Sequence, residues 1–213
     1  MTLEHTAAAD IVDLLAGIER GGRLDAVRAQ RPQARENAQR SFQALLEPSD
    51  PGSFPLAQRY AVAVFVARLH GFAEAAEFYA DLLGDEAPEL AGAVDAAATD
   101  GAATGPYGAY REPGLSAESV RGPSWSAPAE SLGGRLAAAL SHAHLLVFRP
   151  REASAGAIRT LVDAGWSADD IVTLSQLVAF LTFQLRLAWG LRILDRTPAD
   201  HSGPATQTEG VVR

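Results

Sequence analysis

Apolar residues along this chain recur at three- and four-residue intervals, and no strand-rich segment stands out. Ile11, Leu14, Leu15 and Ile18 share one side of a helix expected over residues 7–19, with Gly21-Gly22 as its stop. A second segment, 24–30, is broken by Pro32, because proline disfavours helical geometry in the residue before it. A helix over 33–46 is expected to stop at Glu47-Pro48 and the turn-rich Ser49-Asp50-Pro51-Gly52. Pro55 then stands at a favourable start for a helix over 56–69. That segment is apolar on nearly every side, the pattern of a helix buried in a bundle. His70-Gly71 predicts a break, followed by helices over 72–83 and 88–98.

Residues 100–130 change character. Gly101, Gly105, Pro106, Gly108, Pro113, Gly114, Gly122, Pro123 and Pro128 predict a long loop. Tyr107, Tyr110 and Trp125 argue that part of it packs on the body, since pure linkers seldom carry three large aromatics. The expected organisation is an N-terminal helical half over 1–99, this connection, a C-terminal helical half over 131–196, and a polar, disordered tail over 197–213. Within the second half, helices are expected over 132–147 and 154–164, the latter stopped by Gly165. Ser167, with Asp170 three places on, reads as a helix N-cap. The long apolar run 171–194 follows. Its length suits a membrane span. Gln176, Gln184, Arg186 and Arg192 interrupt it, and charge near the middle of a span is costly, so the expectation is a buried bundle helix and no membrane span.

Composition narrows the chemistry. The 213 residues contain no cysteine, which excludes disulfides, thiolate metal sites, cysteine nucleophiles and dithiol redox cycles. Lysine is absent too, so all 18 basic residues are arginine, and neither a Schiff-base lysine nor a phosphate-loop lysine is available. A formal net charge of −8 disfavours nucleic acid as a partner. The first ten residues carry Glu4 and Asp10 without the basic and apolar regions of a secretory signal, which makes a cytoplasmic location the expectation.

The run Leu161-Val162-Asp163-Ala164-Gly165-Trp166-Ser167-Ala168-Asp169-Asp170-Ile171-Val172, followed by Val178 to Arg186, resembles the C-terminal part of peroxidase-related members of the alkylhydroperoxidase D-like, or carboxymuconolactone decarboxylase, family. Those proteins show a turn like Ala-Gly-Leu-Ser-Asp-Glu-Glu-Ile and then a helix closing on Asn-Arg. Arg186 stands at the arginine position, while Thr182 and Leu185 replace the pattern's asparagines. In the first half, Arg59-Tyr60 stands at the family's Arg-Glu. Phe72 and Ala75 stand at its two cysteines, and Tyr79 at its histidine. The resemblance covers residues 35–195 and implies an all-α, alkylhydroperoxidase D-like helical bundle. Within the family it points to a cysteine-free branch. It also implies a homo-oligomer, a trimer or hexamer, with a cysteine-containing paralogue as a further candidate partner.

Four substitutions at those positions remove the family's redox machinery. A thiol peroxidase needs a thiolate to attack, a second thiol to resolve, and groups that move protons. Phe72 and Ala75 do none of this, and an ordinary phenol, with a pKa of about 10, is a poor base at neutral pH. The old pocket is either filled by Tyr60, Phe72 and Tyr79 or left open as an apolar pocket with phenolic hydroxyls. The first function expected is a non-redox oligomeric or small-molecule-binding protein without a cofactor or metal. The alternative is a cysteine-independent decarboxylase or lyase acting on a small carboxylate, with His70 or Tyr79 moving a proton and Arg186 holding the carboxylate. Arg186, in an apolar helix, is otherwise expected to pair with a carboxylate, with Glu74 and Glu77 as candidates, or with helix C-terminal carbonyls. His142 and His144, two apart on a helix, face different ways and make a poor metal pair. His5 and His201 fall near the ends. No nucleophile elbow, phosphate loop or dinucleotide glycine pattern is present.

Overall fold

The computed structural model describes residues 10–196, and these form an all-α fold. The first half holds α1 (Ile11–Ala16), α2 (Arg23–Ala29), α3 (Pro32–Leu46), α4 (Leu56–Leu69), α5 (Ala73–Glu86) and α6 (Pro88–Asp100). The second holds α7 (Ala129–Leu132), α8 (Gly134–Phe148), α9 (Ala155–Asp163) and α10 (Ala168–Arg196). The expected helix start at residue 7 and the expected disordered tail fall largely or wholly outside the described residues, as do His5 and His201.

α4 is the axis. Every residue from Arg59 to Ala67 is buried, so the all-round apolar pattern has its expected meaning. Helices α3, α5, α6, α8 and α10 all pack on it. The two halves therefore share one core, which runs from Ile11 to Leu191. Residues 101–128 wrap this core. Trp125 stacks on Phe65 of α4 at 5.4 Å between ring centroids and donates from Nε1 to Asp100 at 2.7 Å. The aromatic residues of the loop thus mark its docking, as expected. It also contains a six-residue 3-10 helix, Pro113–Glu118.

Helix ends differ from expectation by up to three residues, as at the end of α5, which runs on to Glu86, and at the end of α1. α1 stops at Gly17, not at Gly21-Gly22. Gly17 takes φ 70°, a left-handed conformation that glycine adopts without strain, and its N–H meets the carbonyls of Asp13 and Leu14. Leu14 is left half exposed, so the expected apolar face is narrower than the spacing suggested. Asp10 caps α1 by accepting from the backbone of Val12 and Asp13. It also pairs with buried Arg28 at 2.6 Å, while Arg35 bridges Asp13 and Asp25. These pairs tie α1, α2 and α3 together around satisfied charges.

α10 is the one described helix long and apolar enough, by length and composition, to cross a membrane. Half of its apolar window is buried inside the protein, against α1, α2, α3, α4, α8 and α9. Its start matches the expected cap, with Ser167 Oγ accepting from the Asp170 N–H at 3.1 Å. The Asp170 carboxylate accepts from Ser53 at 2.7 Å and from Arg135 at 3.2 Å, pinning α10 to α8 and to the loop before α4. Burial pushes this carboxyl up. Hydrogen bonds from Ser53, Ser167 and Arg135 outweigh that and hold it below its ordinary value.

Candidate functional site

The corner between α4 and α5 is built by His70, Gly71 and Phe72. Gly71 adopts φ 67°, and the N–H of Phe72 returns to the Ala67 carbonyl at 3.3 Å, closing the end of α4 before α5 begins. The C-terminal half of α10 passes this corner. Between them lies a cavity of about 400 Å³ lined by His70, Phe72, Leu185, Arg186, Trp189 and Gly190. Its walls are mainly apolar. Phe72 meets Trp189 edge-on with ring centroids 5.6 Å apart.

The charged group here is Arg186. Contrary to the expectation of a buried, paired arginine, its side chain is exposed and forms no ion pair or hydrogen bond among the described residues. The reason lies in the helical register. Gln184 and Leu185 turn inward, and Arg186 falls on the outer face one step later. The carboxylate of Glu74 is already taken by Arg192, whose guanidinium also lies 5.5 Å from the Phe72 ring centre. Arg192 is thereby neutralised, while Arg186 at the cavity wall is not.

His70 is fixed by its backbone. Its Nδ1 lies 2.9 Å from the Val66 carbonyl oxygen, an atom that only accepts, so Nδ1 carries the proton. Nε2 then holds a lone pair, and it is buried without a hydrogen-bond partner among the described residues. Burial pushes the imidazole below its ordinary pKa, and the positive charge of Arg186 adds to that, against the bond to Val66. The ring is neutral at physiological pH.

The four positions of the resemblance divide. Phe72 lines the cavity, whereas Ala75 and Tyr79 are sealed in the core. The Tyr79 hydroxyl donates to Gln184 Oε1 on α10, and burial raises its phenol well above the ordinary value despite that bond. Tyr60 is buried near the opposite end of α4, ten residues or ~15 Å from His70 along the axis. Burial, with Glu47 and Glu86 nearby, raises its phenol too. Of these positions only Phe72 lines the cavity. Tyr60, Ala75 and Tyr79 pack as core. Arg59, beside Tyr60, is buried and donates to the carbonyls of Phe54 and Leu45, both at 2.7 Å, and of Pro51 at 3.3 Å. It holds the loop before α4 against the end of α3.

Trp189 and Gly190 were not singled out from the sequence, and Leu185 stood out there only as a replaced asparagine. Arg186 was a signal for Trp189 and Gly190, since they follow it at three and four residues and so share its face of α10. The other two described histidines lie on α8. His142 Nε2 faces Ser175 Oγ at 3.2 Å, and His144 Nε2 donates to the Gly101 carbonyl at 2.9 Å, with its ring between Trp125 and Phe148. No group of three or more His, Asp or Glu side chains among the described residues has a metal-binding arrangement.

The fold and cavity define an all-helical protein with a small, mainly apolar site carrying one unneutralised cation. No protein-family profile, no curated protein and no solved structure matches the chain.

Proposed function

We propose that this chain is a non-redox, small-molecule-binding protein that holds an anionic ligand in the cavity between the α4–α5 corner and α10. The observation that carries this is Arg186, a guanidinium without a protein partner on the wall of a mainly apolar cavity. Sites for small molecules are mostly apolar, with a few placed polar groups that orient the ligand. Arginine suits a carboxylate, because its planar fork meets two oxygens at once. The test is calorimetric titration with small monocarboxylates and their neutral amide isosteres. Binding of the acids alone, lost in Arg186→Gln, is the expected outcome. Equal binding of acids and amides, or binding indifferent to Arg186→Gln, defeats the proposal.

We also propose membership of the cysteine-free alkylhydroperoxidase D-like branch. The all-α fold supports it, as does the position of Phe72 and Ala75 at the start of α5, where a helix N-terminus would have favoured a thiolate. Self-association is part of the same proposal. Val172, Phe183, Ile193 and Leu194 are large apolar residues of α10 left exposed at 56%, 53%, 50% and 43%, which suits packing against another chain. Light scattering on the purified protein tests it, and a monomer at all concentrations counts against it. A decarboxylase or lyase reading draws support from the neutral imidazole of His70 beside Arg186. It is defeated if His70→Ala and Arg186→Ala leave an identified activity intact.

A further inference from the structure

The outward side of α10 carries a strip of residues that the core does not use. Val172, Gln176, Ala179 and Phe183 are exposed along it, followed by Arg186, Gly190 and Leu194. From Val172 to Gly190 the spacing alternates between four and three residues, and its average, about 3.5, is the repeat that keeps one helix seated against another. The strip runs ~33 Å along the helix axis and holds no carboxylate. An outward helix face is ordinarily polar. Here Val172, Phe183, Leu194 and the flanking Trp189 are 43–56% exposed. With half of each uncovered, the four leave roughly 400 Å² of apolar surface per chain. Gln176 and Arg186 lie within the strip and are costly in hydrocarbon, so a protein surface fits it better than a lipid one.

We infer that the strip is covered by the same strip of a second copy, packed antiparallel about a two-fold axis at Phe183. This rests on the self-association proposed above and supplies its surface and symmetry. Such an axis sets each residue opposite the one equally far along the helix on the other side of Phe183. Val172 then meets the partner subunit's Leu194. Gln176 meets the partner subunit's Gly190, where even a Cβ would find nothing within 4 Å, so the amide has room. Gly190 also lines the cavity, which puts the partner subunit's Gln176 at its edge. Arg186, one turn from the axis, reaches the ring of the partner subunit's Phe183, a cation–π contact that leaves its charge available to an anion. The ends of the helix choose the direction. Asp169 and Arg196 are exposed at opposite ends of α10, and the antiparallel pair brings each Asp169 to the partner subunit's Arg196. A parallel pair would set Asp169 beside its own copy. Two copies bury about 800 Å² through the four large side chains alone. The other strip residues bring the total toward the ~1,200 Å² at which specific interfaces begin, so the dimer is weak and depends on concentration.

Sedimentation equilibrium on the full chain should show a concentration-dependent passage from 22.4 kDa to twice that mass. Phe183→Glu should raise the dissociation constant about 30-fold or more, as expected for a central aromatic contact. Its far-UV circular dichroism should match the parent's, because Phe183 is exposed in the single chain. The chain contains no cysteine, so one introduced thiol reads the geometry. A mixture of Val172→Cys and Leu194→Cys chains should form a disulfide-linked dimer on oxidation, whereas Val172→Cys alone should not. Self-linking of Val172→Cys, or no link in the mixture, overturns the antiparallel arrangement. A trimer, or an assembly that Phe183→Glu leaves intact, overturns this surface while self-association stands. A monomer at all concentrations overturns both.

Discussion

The Tyr79–Gln184 pair joins α5 to α10 through a hydroxyl and an amide that are both sealed from water. Tyr79→Phe removes the hydroxyl with little change of shape. The Gln184 carbonyl oxygen then loses its partner, and its amide nitrogen already lacks one. A buried acceptor left unsatisfied costs about 1–3 kcal/mol, so Tyr79→Phe should destabilise by that amount. For a chain of this size each kcal/mol lowers Tm by about 2–4 °C. Gln184→Leu orphans the Tyr79 hydroxyl but also removes the unpaired amide nitrogen, so its cost should be smaller. The double variant replaces both polar groups with apolar ones and should return close to the parent stability. The coupling across the cycle is thus expected at about 1–3 kcal/mol, measured by urea denaturation of the four proteins. Additive single effects, or a Tyr79→Phe variant as stable as the parent, would refute the reasoning. The same variant separates packing from chemistry. Because Tyr79 does not line the cavity, Tyr79→Phe should bind carboxylates as the parent does. Loss of binding without loss of stability would place the hydroxyl in the site after all.

Other expectations follow from the same structure. Arg59→Met strips three carbonyls of their donor and should cost on the order of 3 kcal/mol in a denaturation experiment; a neutral result would mean that water serves those carbonyls equally well. Gly17→Ala places a side chain at φ 70° and should cost about 1 kcal/mol through backbone strain, since nothing lies close enough to clash; an unchanged Tm contradicts the left-handed stop of α1. Burial first, with Arg186 adding at His70 and Arg149 at His144, depresses the imidazoles of His70, His142 and His144 below their ordinary value. As pH falls through ~6.5 the unfolded chain takes up these protons before the folded one, so stability should decline between about pH 7.5 and pH 5.5. A urea midpoint that rises over that interval would have the wrong sign.

Much of this protein was legible in the order of its residues, because helix signals are local. The Ser167 cap, the stop at His70-Gly71 and the unbroken apolar surface of α4 each depend on residues a few positions apart, and each appears where the pattern put it. The absence of thiol chemistry needed only a count, since a chain without cysteine has no thiolate to offer. The site was legible in pieces. His70, Phe72 and Arg186 stood out, but so did Tyr60 and Tyr79, which the fold sends elsewhere.

What the tertiary structure decided was which of these residues meet, and in what state. Arg186 was expected to be buried from its apolar neighbours in sequence, yet a helix turns about 100° per residue, and only the packing of α10 fixes which side faces inward. That Arg192 takes Glu74 and leaves Arg186 unpaired depends on side chains more than a hundred residues apart in the chain. The lone pair on His70 Nε2 follows from where one backbone carbonyl points. The residues set which groups were available. The arrangement of α4, α5 and α10 determined that a cation, a histidine and two aromatic residues line one opening, because contacts distant in sequence are made only when the core closes.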